Sequence, residues 1–151
     1  MIGSIVVNPA TGNAYFTRDG VPHRVRPKSY GISATGLGAV MAVNGSTNRL
    51  YATTGNGMQI VDGATDGIIT TVPLPSTPTA AAVLTGRNRV YVSTQTDLVV
   101  LDGATNRPLW TLALGSDFSP HAIAIDSARR TAYVLGHAAN GKVFLKVVGF
   151  Q

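Results

Sequence analysis

The chain has 151 residues, 44% of them hydrophobic, enough for one sizeable core and one domain of average length. Twelve Lys and Arg stand against seven acidic residues, all of them Asp, for a net charge of +5. The cations occur singly, without a basic block or interleaved aromatics, which argues against nucleic acid; the absence of Cys excludes disulfides, thiolate metal sites and cysteine nucleophiles.

The opening MIGSIVVNPATG has neither a positive region nor a long apolar run. As written it predicts no signal peptide and no membrane anchor, hence a cytoplasmic chain by default, with its true compartment unknown. No apolar run approaches the roughly 18 residues of a membrane-spanning helix. Charged residues are 13% of the chain, about half the usual share, which points to surface hidden by a partner.

A twelve-residue pattern recurs four times, ending at Tyr15, Tyr51, Tyr91 and Tyr133: SIVVNPATGNAY, VMAVNGSTNRLY, AAAVLTGRNRVY and AIAIDSARRTAY. The spacings are 36, 40 and 42 residues. Short apolar strands and Gly/Asn/Asp turns at a period near 40 predict the blades of a β-propeller, because one small sheet cannot bury both of its faces alone. The fold class is therefore all-β, built of four-stranded antiparallel blades at about residues 1–36, 37–76, 77–117 and 118–151, in a single domain over 1–151.

Taken in chain order, the first unit is degenerate after its second strand, with HRVRP as a third strand and a weak fourth near 31–35. The second unit predicts strands at 40–44, 49–54, 58–62 and 67–72, and the third at 80–84, 89–94, 98–102 and 109–114. The fourth unit predicts strands at 122–126, 131–135 and 142–147, and then almost no chain remains for another. An unpaired third strand would be an exposed edge.

In the innermost strands Val6, Ala42, Ala82 and Ala124 align, as do Val7, Val43, Val83 and Ile125. The small residues suit a crowded axis and the β-branched ones the space between blades. The four tyrosines are expected to pack between sheets with their hydroxyls at a polar edge. Asp62-Gly63 and Asp102-Gly103, eleven residues after a tyrosine, read as turn chemistry: Asp bonds the backbone ahead of it and Gly tolerates positive φ. A calcium loop would need further acidic ligands.

The segments NRLYATT with IVDGAT and NRVYVST with VLDGAT resemble the YVTN family of β-propeller repeats. The resemblance is good over about 40–115, moderate over 122–146 and limited to the first half of the unit over 4–17. It implies relatives with seven- or eight-bladed rings, often exported, many without an assigned activity. Lactonase-like, quinoprotein-like and streptogramin-lyase-like enzymes have similar propellers, but no catalytic motif of theirs matches here. Four units would leave two apolar blade faces uncovered, so the expected assembly is a homodimer in which a second chain completes eight blades; the rivals are a fragment of a longer chain and four blades that close by themselves.

Sorting loops by rim places Asp117, His121 and His137 on one side and Arg129 and Arg130 on the other. Two imidazoles and a carboxylate are the elements of a divalent-metal site, although no HxH or HExxH spacing ties them, and His121 and His137 are weak metal candidates. The arginine rim is suited to an anionic ligand. No GxSxG elbow, phosphate loop or carboxylate pair is present. The sequence favours a non-catalytic binding or scaffold protein with no cofactor and an unidentified small-molecule or protein ligand; the alternative is a metal-dependent, lactonase-like hydrolase or lyase at the channel mouth, and enzymatic activity is left open.

Overall fold

The computed structural model describes residues 2–150. Among them fifteen strands form four antiparallel sheets, each a meander in which sequence neighbours pair. The chain divides into two compact units, the first holding two sheets and the second the other two.

In the first unit, one sheet runs β1 (Ile2–Val7), β2 (Ala14–Arg18), β3 (Val21–Val25) and β4 (Ile32–Ala34). The other runs β5 (Val40–Asn44), β6 (Arg49–Thr54), β7 (Gly57–Asp62) and β8 (Ile68–Pro73). In the second unit, β9 (Pro78–Leu84), β10 (Arg89–Thr94), β11 (Asp97–Asp102) and β12 (Arg107–Ala113) form the third sheet. The fourth has three strands: β13 (Phe118–Asp126), β14 (Thr131–Ala138) and β15 (Val143–Gly149). Small antiparallel meanders repeated in this way are β-propeller blades, and the chain is an all-β propeller protein of four blades.

Each unit buries its own apolar seam. In the first, Tyr15, Leu37, Val40, Leu50, Ala52 and Val61 cluster. In the second, Tyr91, Leu98 and Val100 of the third blade meet Phe118, Ala132 and Val134 of the fourth. Fully burying one such Leu or Val contributes about 1.5–3 kcal/mol, so the seam between consecutive blades is the main source of stability in each unit.

The turn joining the first two strands of every blade closes on a residue in the left-handed region: Gly12 (φ 74°), Asn48 (51°), Asn88 (51°) and Arg130 (52°). Its carbonyl then accepts a backbone N–H from just beyond the third strand, as Gly63 to Asn48 at 2.9 Å, Gly103 to Asn88 at 2.8 Å and Phe150 to Arg130 at 2.9 Å. In the first blade the matching position is Pro27, which has no N–H to give.

The Asp-Gly turns differ from expectation in one respect. Asp62 and Asp102 do accept from the backbone ahead, from Ala64 and Ala104 at 2.9 and 2.8 Å. Positive φ, however, falls on Asp66 and Asn106, four residues later, and not on the glycines. Gly63 and Gly103 are required by close approach, since a Cβ on either would lie 2.1 Å from the side-chain oxygen of Asn48 or Asn88.

Candidate functional site

The predicted site residues all belong to the fourth blade or its approach. Asp117 lies exposed in the connection from β12 to β13, where its carbonyl accepts the Ala139 N–H at 3.2 Å. The first strand starts four residues earlier than the sequence suggested, at Phe118, so His121 sits inside β13 at an irregularity between Pro120 and Ala122. Its ring lies against that of His137 in β14. The two imidazoles stack with centroids 4.5 Å apart, and His121 Nε2 lies 2.5 Å from His137 Nδ1. One of those nitrogens must carry the proton and the other the lone pair.

Among the described residues no group of three His, Cys, Asp or Glu is arranged to hold a metal ion. The histidine pair thus supplies two nitrogens, whereas a catalytic zinc takes three protein ligands. Phe118, next to Asp117, is buried in the core.

Arg129 and Arg130 occupy the β13–β14 turn, at the opposite end of these strands from the histidines. Arg129 Nη1 donates to Asp126 at 2.8 Å, and the same Asp126 carboxylate accepts the backbone N–H groups of Ala128 and Arg129. The guanidinium first, and then these N–H groups, hold the Asp126 carboxyl below the usual range. Similar pairs join Arg49 to Asp62 (2.8 Å) and Arg89 to Asp102 (2.6 Å). Three arginines at these turns, Arg49, Arg89 and Arg129, are thus each paired with an aspartate of their own blade.

A stronger feature lies along β15. Val147 pairs across from Tyr133 as Val100 pairs from Tyr91, and Leu145 matches Leu98 in the same way. In the third blade these positions are closed by the blade that follows: Val100 is 1% exposed and Leu98 0%. In the fourth, Val147 is 60% exposed and Leu145 55%. The first blade presents its own apolar residues outward, with Ile5 at 66% and Val7 at 57%. These two match Ile123 and Ile125, which pack against the third blade's seam.

A cavity of about 660 Å³ lies between β12 and the end of β15. Tyr91 forms its floor, edge-on to Trp110 at 6.3 Å and tilted against Phe150 at 5.1 Å. Arg87 and Arg89 line one end. Burial raises the Tyr91 hydroxyl above its ordinary pKa, with the two arginines pulling the other way. The sequence pattern assigned Tyr91 to packing between sheets and gave no sign of this cavity.

No protein-family model matches the chain, and no curated protein matches it by sequence. Solved structures do. The chain superposes on Kuenenia stuttgartiensis hydrazine synthase with a TM-score of 0.75 at 16% identity, over 96% of this chain and 48% of that one. A chain of the mitotic checkpoint complex matches with a TM-score of 0.78 at 13% identity, over 99% and 48%. Saccharomyces cerevisiae Sqt1 matches with a TM-score of 0.66 at 11% identity, over 99% and 46%. The likeness shows the fold. The chain spans about half the length of each of these three.

Proposed function

We propose that this protein is a non-catalytic propeller of the YVTN-repeat kind that acts as a binding or scaffold module, and that two copies join to complete an eight-bladed ring. The observation that carries this is the contrast along one register: Leu98 and Val100 are sealed by a following blade, while Leu145 and Val147 are bare. A bare apolar sheet face on one blade and another on the first blade are complementary surfaces, and a two-fold pair of chains would cover both twice. One of the three matching structures is a mitotic checkpoint complex, and a similar propeller inside a protein complex supports a scaffold role among protein partners.

Sedimentation equilibrium at micromolar concentration tests it. The expected particle has twice the 15.7 kDa chain mass. A stable particle of one chain's mass, with an unaltered fold by circular dichroism, overturns the ring.

A further inference from the structure

We propose a second binding site, independent of the ring: the slot between β12 and β15 accepts an extended peptide strand that begins with an aspartate and continues with alternating apolar residues. The first unit shows what belongs there. Tyr15, the counterpart of Tyr91, gives its hydroxyl to Asp66 Oδ1 at 2.9 Å, and Asp66 also pairs with Arg24. Asp66 is the left-handed residue of the turn that leads into β8, the outer strand of the following blade. The acidic turn residue anchors the strand behind it.

Between the third and fourth blades that anchor and that strand have no counterpart among the described residues; Tyr15 has its counterpart in Tyr91, whereas the position of Arg24 is taken by Val100 and the cation comes instead from the cavity wall. Tyr91 stands where Tyr15 does, Arg87 lines the cavity as a cation, and Trp110, Leu112, Val148 and Phe150 give apolar walls. Leu112, ten residues beyond its turn aspartate, is 41% exposed, whereas Val72, ten beyond Asp62, is 5% exposed. β15 is also the last strand of its sheet, so its outer backbone groups can take up a ladder with an incoming strand. A chain of net charge +5 with a Tyr and Arg at the mouth of an apolar slot selects an acidic leading residue.

The chain's own residues 62–73, DGATDGIITTVP, provide the probe as a synthetic peptide. Trp110 is the sole tryptophan of the sequence and lies in the wall, so its emission reports occupancy. Titration of the full-length protein is expected to give a saturable change in emission. Peptide carrying Asp66→Lys, or protein carrying Arg87→Ala, should bind at least about tenfold more weakly. Protein carrying Leu112→Lys, with native circular dichroism, should not bind.

Absence of an emission change up to about 1 mM peptide overturns the proposal, as does equal affinity for the Asp66→Lys peptide. A change in Trp110 emission on diluting the protein alone, with no further change on adding peptide, would mean that a second copy fills the slot and would overturn it too. Peptide binding by a particle of one chain's mass would leave this site standing while removing the ring.

Discussion

Arg130 occupies a position that its three counterparts give to Gly12, Asn48 and Asn88. All four have positive φ, a conformation that Gly and Asn adopt readily and a long side chain does not. Arg130→Asn should therefore stabilise the protein by about 0.5–1 kcal/mol, read as a higher urea midpoint with an unchanged slope. Gly103 makes the opposite case. A Cβ there would meet Asn88 at 2.1 Å on its side chain and 2.9 Å on its carbonyl oxygen, so Gly103→Ala should cost about 1–3 kcal/mol by the same measurement. The sequence marks both glycines of the Asp-Gly turns as special, but for a torsional reason; the real one, a neighbouring asparagine pressed against the Cα, depends on a loop 15 residues away in each blade and leaves no mark in the local pattern.

The turn between the third and fourth strands of a blade is an element with its own pH dependence. Ala64 and Thr65 donate to Asp62, and Thr105 and Ala104 to Asp102, and these N–H groups hold both carboxyls below the usual range. Because the folded-state value is the lower one, this stabilisation is complete above the unfolded carboxylate pKa, about 3.9, and is lost as pH falls through the folded values. Asp126 follows the same sign through Arg129. Thermal melting should thus be level from about pH 5 upward and fall below about pH 4; Asp102→Asn should reduce that slope. Strand positions were readable because period-2 patterning and turn residues agree in the second and third blades. The start of β13 was not, since Ser119-Pro120-His121 lacks alternation and is held in the sheet by Ser119 and Pro120 pairing with His137 and Gly136.

At the scale of the molecule, what the repeat made legible was the number of blades and the incomplete last one. The surfaces that follow from it were less legible, because exposure at Val147, Leu112 or Ile5 is a property of what lies beside a blade and not of its own sequence. The stacked His121 and His137 are near one another for a similar reason, through strand register across 16 residues.

The central claim, that the outward face of the fourth blade meets the first blade of another copy, is open to a cross-linking measurement that the cysteine-free chain makes clean. Val7→Cys and Ala124→Cys each place one thiol on an exposed position of an innermost strand. Mixed and treated with a short bismaleimide, the two variants should yield a covalent pair carrying one of each, and neither variant alone should give a comparable yield. Equal cross-linking of Ala124→Cys with itself, or a loop closed within a single chain when both thiols are present, would contradict the account.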